Sequence, residues 1–188
     1  MSGFYATQND LLLNNLMFFY KDPVNVEKML NIINGASPIS LRIVDWFATN
    51  YAKKYYTVYD IEKESGVCIR FKVYNDYKLK LKAYSKKRFD PFCRWERVTF
   101  PYDDKNYIQT TIGQLNFFKW AIENKVIDYI KTHYKEIDND MNLRNSLGNK
   151  KRIEPSEQLS DKKKRTELSL SAVKTIKKED IEIKIVFH

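Results

Sequence analysis

The chain has 188 residues, with 33 Lys+Arg against 24 Asp+Glu for a net charge of +9, and 2 His, 2 Cys and 5 Gly. That length suffices for one cored domain with an appendage, and no run approaches the roughly 18–20 apolar residues of a membrane span. Cys68 and Cys93 cannot make a disulfide framework and point to a reducing compartment; the scattered His and Cys exclude the usual zinc spacings, and Leu11 to Tyr20 lacks the basic leader and small-residue cleavage site of a signal peptide.

Residues 1–22 carry no decisive pattern, and Leu11 to Tyr20 allows a short helix packed on the domain. Asp22-Pro23 reads as an N-cap with proline at the first helical position, followed by Val26, Met29, Leu30 and Ile33 on one face and ended by Asn34-Gly35. Ser37-Pro38 gives a second start signal for a helix from about Ile39 to Lys54. Its solvent stripe is Arg42, Asp45, Thr49 and Lys53, and Ile39, Ile43, Val44, Trp46, Phe47 and Tyr51 cover most of the rest, so it is expected to be buried on several sides. Tyr55 to Ile61 and Val67 to Tyr74, rich in β-branched and aromatic residues around a turn at Glu62 to Gly66, read as a hairpin.

Asn75 to Lys87 supports two readings. Tyr77, Leu79, Leu81 and Ala83 alternate with lysines, as in a strand with one basic face; Tyr74, Tyr77, Leu81 and Tyr84 fall three and four apart, as in a helix, which propensity slightly favours. Phe89 to Phe92 is a turn, Arg94 to Phe100 a strand, Asp103 to Asn106 a loop, and Tyr107 to Gln109 a short strand. Thr111-Ile112-Gly113-Gln114 matches a capping box, opening a helix with Leu115, Phe118, Ile122, Val126, Tyr129, Ile130 and His133 on its apolar face to about residue 135. The sum is an α+β fold, three or four helices packed on a small antiparallel sheet.

The domain is expected to span 1–140. Of the 27 aromatic residues, 26 lie there, whereas 141–188 hold Phe187 alone and a net charge of +5. A segment with so little apolar surface to bury has little to offset its ordering entropy. Residues 141–188 are therefore expected to form a flexible basic tail, starting where Asn139, Asn142, Asn145, Ser146, Gly148 and Asn149 replace the apolar periodicity, and ending in a strand-like segment at 181–187. There Ile181, Ile183, Ile185 and Phe187 alternate, as a strand adding to a sheet edge would.

No catalytic constellation is identifiable. The five glycines stand apart, unlike a phosphate-cradling loop, and His133 falls on an apolar helix face. Cys93 sits near cations but has no evident partner, and Asp103, Asp104, Asp138 and Asp140 read as solvated loop acids. An enzyme is not expected, nor a cofactor or metal. The informative stretch is 74–100, with a net charge of +5 in 27 residues. Lys78, Lys80, Lys82, Lys86, Lys87, Arg88, Arg94 and Arg97 are interleaved there with aromatics including Trp95. Lysine and arginine neutralise or chelate phosphates and aromatic faces stack on bases, so these residues are candidates for nucleic-acid contact. The competing reading is a core of aromatics beneath a solvated basic face. In the tail, Lys150 to Arg152 and Lys162, Lys163, Lys164 and Arg165 are further candidate contacts, or a nuclear-targeting or solubilising charge run.

Three segments, Pro38-Ile39-Ser40-Leu41-Arg42-Ile43-Val44-Asp45-Trp46-Phe47 with Thr49 to Lys54 behind it, Tyr77 to Arg94, and Thr110 to Ile122, together with Ser169 to Phe187, resemble a protein family of nucleocytoplasmic large DNA viruses, the mimivirus-like and algal viruses. The resemblance implies a viral protein acting in the host cytoplasm, in the virus factory or virion, with nucleic acid or capsid and core proteins as partners. It carries over no residue roles. Two functions are expected from this: an accessory protein binding nucleic acid through 74–100, or alternatively a virion structural or assembly protein working through protein contacts, including strand addition by 181–187.

Overall fold

A computed structural model gives the structure of the protein and describes residues 7–62, 66–95, 97–102 and 106–150. The chain divides into two units, 1–153 and 154–188; all the described residues belong to the first, and Lys162 to Arg165 and the 181–187 segment lie outside them. Among its described residues the first unit is α+β, with more helices than three or four, and the strands form two separate two-stranded sheets where one small sheet was expected.

The first helix, α1 (Gln8–Phe19), opens with a complete capping box: the Asp10 amide donates to the Thr7 hydroxyl, and the Thr7 amide donates back to the Asp10 carboxylate at 2.8 Å. In α2 (Pro23–Ile33) the Asp22 carboxylate accepts from the Val24 amide, and the helix buries Val26, Met29 and Ile32. The next helix starts later than Ser37-Pro38 suggests. Ser37 caps a preceding turn by accepting from the Ile39 amide, and Ser40 accepts from the Ile43 amide to start α3 (Leu41–Trp46). A π-helical turn, Phe47–Tyr51, then leads into α4 (Ala52–Lys54), and its wider winding keeps Phe47, Ala48, Tyr51 and Ala52 all inside.

The expected hairpin is present as β1 (Val58–Glu62) and β2 (Cys68–Lys72), antiparallel with Asp60 opposite Arg70. The ambiguous stretch is a helix, α5 (Val73–Phe89), burying Val73 and Tyr77 with Tyr74, Leu81 and Tyr84 beside them. The stripe at spacings of three and four therefore prevails over the alternation, because it can lie against the later helix Ile112–Glu123 whereas alternating lysines have no second face to bury. Inside α5, Ser85 has φ 65° and ψ 166°, a region that almost only glycine occupies without strain. The phase of the helix explains the break. In an unbroken helix Arg88, four residues after Tyr84, would continue the buried stripe; the break turns Phe89 inward instead, fully buried, with its ring stacked 6.0 Å from Tyr84 and edge-on at 5.9 Å to Trp120.

A second hairpin follows, β3 (Arg97–Pro101) with β4 (Tyr107–Thr111), in the register Arg97 to Thr111, Thr99 to Gln109 and Pro101 to Tyr107. Thr111 caps α6 (Ile112–Glu123) by accepting from the Gln114 amide, but the Gln114 side chain does not close the box. It accepts instead from the Thr110 hydroxyl at 2.6 Å. α6 is the central helix, with Leu115, Phe117, Phe118 and Ala121 fully buried. The single helix expected to run to 135 is interrupted twice. Lys125 takes a left-handed conformation before α7 (Val126–Thr132), and His133 ends that helix before α8 (Tyr134–Lys150). α8 runs straight through the boundary expected at Asp140, because Ile137, Asp140 and Met141 are buried. The asparagines of 139–149 are helical positions, not a linker.

Candidate functional site

The cations of 74–100 separate into three groups. Lys78 and Lys82, one turn apart, lie exposed on the side of α5 away from Tyr77, with Leu79 at 65% exposure beside them. Lys80 points to the flank of that helix and is half-buried. Arg88 is engaged inside the fold: its Nε donates to the Asn9 side-chain oxygen at 2.7 Å and its Nη1 to that of Gln8 at 3.2 Å, tying the end of α5 to the start of α1. Arg88 is thus a structural cation first, and its side chain is the least available of the candidates.

Lys86, Lys87, Arg94, Trp95 and Arg97 form the third group, all exposed. The Lys87 ammonium stands 4.4 Å from the centroid of the Trp95 ring, a cation–π contact. Arg97 is joined to the same locality through the backbone. It pairs with Thr111, and two residues on, Gly113 packs against the backbone of Lys87 to Asp90 so closely that an added Cβ would meet the Asp90 carbonyl oxygen at 2.9 Å. Asn116 seals that joint by donating to the Arg88 carbonyl at 2.9 Å. Glycine at 113 is needed because helix α6 and the chain segment carrying the basic residues touch backbone to backbone.

Among the described residues, none of these cations is paired with a carboxylate; the ion pairs are Lys54 with Asp140, Lys119 with Glu123 and Lys131 with Asp128. The acids near α5 are occupied elsewhere. Asp76 accepts from the Trp120 indole at 2.6 Å, and Asp90 accepts from the Phe92 amide at 2.9 Å. Asp45, on α3, is pushed up to about 6 by burial and by the neighbouring Asp90. Among the described residues, the positive face thus has no ion-paired counter-charge, and an external anion would supply one.

Two arrangements escape a linear reading. Asp140, taken from sequence as a solvated loop acid, is a buried hub: it accepts from the Trp46 indole at 3.1 Å, Lys54 Nζ at 2.5 Å and the Tyr55 hydroxyl at 3.3 Å. Burial pushes its carboxyl up, but these donors and the Lys54 charge outweigh burial and hold it below the usual range. His133 stacks on Tyr129 at 4.1 Å, and Tyr129 in turn on Tyr59 at 4.9 Å, so that histidine belongs to an aromatic ladder tying α7 to β1. Only the fold reveals either, since the partners are 65 to 94 residues apart for the hub and the β1 contact of Tyr59 with the Asn124 carbonyl. A third feature had a usable signal. The period-two pattern of 97–101 and 107–111 places Arg97, Thr99, Tyr107 and Gln109 on the outer face of the second hairpin, with Val98, Phe100, Ile108 and Thr110 inward.

Among the described residues no three His, Cys, Asp or Glu side chains converge as a metal-holding set, and no helix is long and apolar enough to cross a membrane.

Taken together, the described residues define a small α+β protein that leaves a cluster of unpaired cations beside an exposed indole. It belongs to a family of unknown function, DUF7197, whose sequence model matches residues 2–160. Its relatives include "Uncharacterized protein L507" of Acanthamoeba polyphaga mimivirus, 50% identical over 143 residues, which cover 73% of this chain and 55% of that protein. The resemblance to a mimivirus-like viral family therefore holds, and the chain spans about half the length of that relative. No solved structure matches.

Proposed function

We propose that this protein binds nucleic acid without catalysing a reaction, through the exposed cations that run from Lys78 and Lys82 on α5 to Lys86, Lys87, Arg94 and Arg97, with the tail cluster Lys162 to Arg165 adding non-specific affinity. The observation that carries the reading is the lack of carboxylate partners for those cations among the described residues, in a region where Asp76 and Asp90 already hold hydrogen bonds within the fold. A polyphosphate is the partner that such a surface neutralises most fully, and displacing its condensed counterions supplies the driving force. A viral setting, in a virus factory or virion, offers nucleic acid as such a partner.

The test is a salt titration of the full chain on labelled DNA and RNA. Affinity is expected to fall steeply as salt rises from about 50 to 200 mM, and Lys86→Glu with Lys87→Glu is expected to lower affinity at least tenfold and flatten the salt slope. Neutralising Lys162 to Arg165 in the full chain is expected to have a smaller effect. Absence of binding at low salt, or binding that ignores the change at 86 and 87, overturns the proposal and favours a protein partner in virion assembly.

A further inference from the structure

The cations account for phosphate contact, but not for what stands around them. Trp95 is 37% exposed and Tyr107 45% exposed, and they sit at opposite ends of the β3–β4 ribbon, Trp95 two residues before Arg97 with Glu96 between them, and Tyr107 opposite Pro101. Between Trp95 and Tyr107, among the described residues, the outer face carries Arg97, Thr99, Gln109 and Thr111 and no carboxylate. A five-residue strand is about 13 Å from first to last Cα, the rise of about four stacked nucleotides of one strand.

Resting on the reading above, we infer that the preferred ligand is single-stranded nucleic acid and that the outer face of the β3–β4 ribbon forms the second half of the site. Bases stack on Trp95 and Tyr107, Thr99 and Gln109 offer hydrogen bonds between them, and Lys86, Lys87, Arg94 and Arg97 take the phosphates. An exposed ring rewards a base whose face is free; in a duplex those faces are spent on the neighbouring base pairs. The Lys87 ammonium over Trp95 fits this division, because it holds a phosphate-binding charge and a stacking surface within a few ångströms of each other. The ribbon is anchored from below by Phe100, buried edge-on against Tyr20 at 5.4 Å, so the outer face is presented on a fixed support.

The experiment compares binding of the full chain to a 20-nucleotide oligo-dT and to a 20-base-pair duplex at one ionic strength, with Trp95→Ala, Tyr107→Ala and Trp95→Phe. The expected result is at least tenfold tighter binding of the single strand and at least a fivefold loss of single-strand affinity in each alanine variant. Duplex affinity and the salt slope stay unchanged, and Trp95→Phe restores most of the loss. Binding of oligo-dT is also expected to quench indole emission, and the quench disappears in Trp95→Phe. Equal, steeply salt-dependent binding of both probes overturns this inference while leaving the basic surface as a phosphate site. A single-strand preference that survives both alanine substitutions also overturns it. Failure of both probes to bind overturns the inference and the reading beneath it together.

Discussion

The two hairpins are the same object built twice and finished differently. Each pairs two five-residue antiparallel strands, and each is anchored by one buried phenylalanine, Phe71 on Tyr59 and Trp120 in the first and Phe100 on Tyr20 in the second. Their outer faces diverge. On β1–β2, Asp60 stands opposite Arg70, with Glu62 and Lys72 on the same face, so the charges balance across the ribbon. On β3–β4, Arg97 faces Thr111, Gln109 faces Thr99, and the neighbouring Lys86, Lys87 and Arg94 have no acid to offset them among the described residues. A similar anchor below therefore leaves the upper face free to vary: the inner residues decide that a ribbon forms, and the outer ones decide what it meets.

If the ribbons are mechanically equivalent, the largest effects should be equal on both. Phe71→Ala and Phe100→Ala are each expected to cost about 3–5 kcal/mol, the usual loss for emptying a buried aromatic site, read as shifted urea midpoints. A several-fold smaller cost at one of them would show that its hairpin is only loosely docked.

The next effect belongs to Asp45 on α3, which faces Asp90 of the second hairpin's lead-in. Asp45 is held at about 6 in the fold, by burial and then by Asp90, against an ordinary 3.8. Between those two pH values the folded chain binds more protons than the unfolded one, so stability rises as pH falls from about 7 to 4, by up to about 3 kcal/mol. Asp140, held low, acts in the opposite sense and withdraws its stabilisation as pH falls below the ordinary carboxylate range. Asp45→Asn is expected to remove the rise between pH 6 and 4 without touching the acid limb. A pH profile of the unfolding midpoint in which the rise persists would place its origin elsewhere.

A charge swap tests the faces directly. Arg97→Glu is expected to weaken nucleic-acid binding about three- to tenfold, while Arg70→Glu, at the same kind of strand position but opposite Asp60, changes it less than twofold. Anisotropy titrations at one salt concentration decide it, and equal losses would mean that net charge, not location, governs binding.

The smallest effect concerns the strained residue that sets the patch in place. Ser85→Gly removes a cost of about 1–3 kcal/mol for its backbone conformation, partly offset by about 1 kcal/mol of added chain entropy. A net gain of about 1 kcal/mol in denaturant unfolding is expected, with no gain for Ser85→Ala. Gly113→Ala, by contrast, forces backbone apart at the same joint and is expected to destabilise by about 1–3 kcal/mol.

Much of this was legible one segment at a time. Asp22-Pro23 capped its helix, Thr111 capped α6, the first hairpin and the two strands of the second fell on β-branched and aromatic runs, and Tyr74, Tyr77, Leu81 and Tyr84 marked the buried stripe of α5. These depend on contacts within a few residues and on periodicity, which any short stretch of chain carries. The candidate cations were legible as a composition but not as a surface: sequence could not tell Arg88, bound to Asn9 and Gln8, from Lys87, which lies over Trp95.

What the tertiary structure alone decided is which local option survives packing. The helix break at Ser85 exists because Phe89 must reach Trp120, the helix continues past Asp140 because Trp46, Lys54 and Tyr55 converge on that carboxylate, and the α6 reading as one long helix fails at Lys125, where the chain turns left-handed. The first two outcomes are set by partners tens of residues away, and burial of a large side chain or satisfaction of a buried charge outweighs the few tenths of a kcal/mol by which neighbouring local conformations differ.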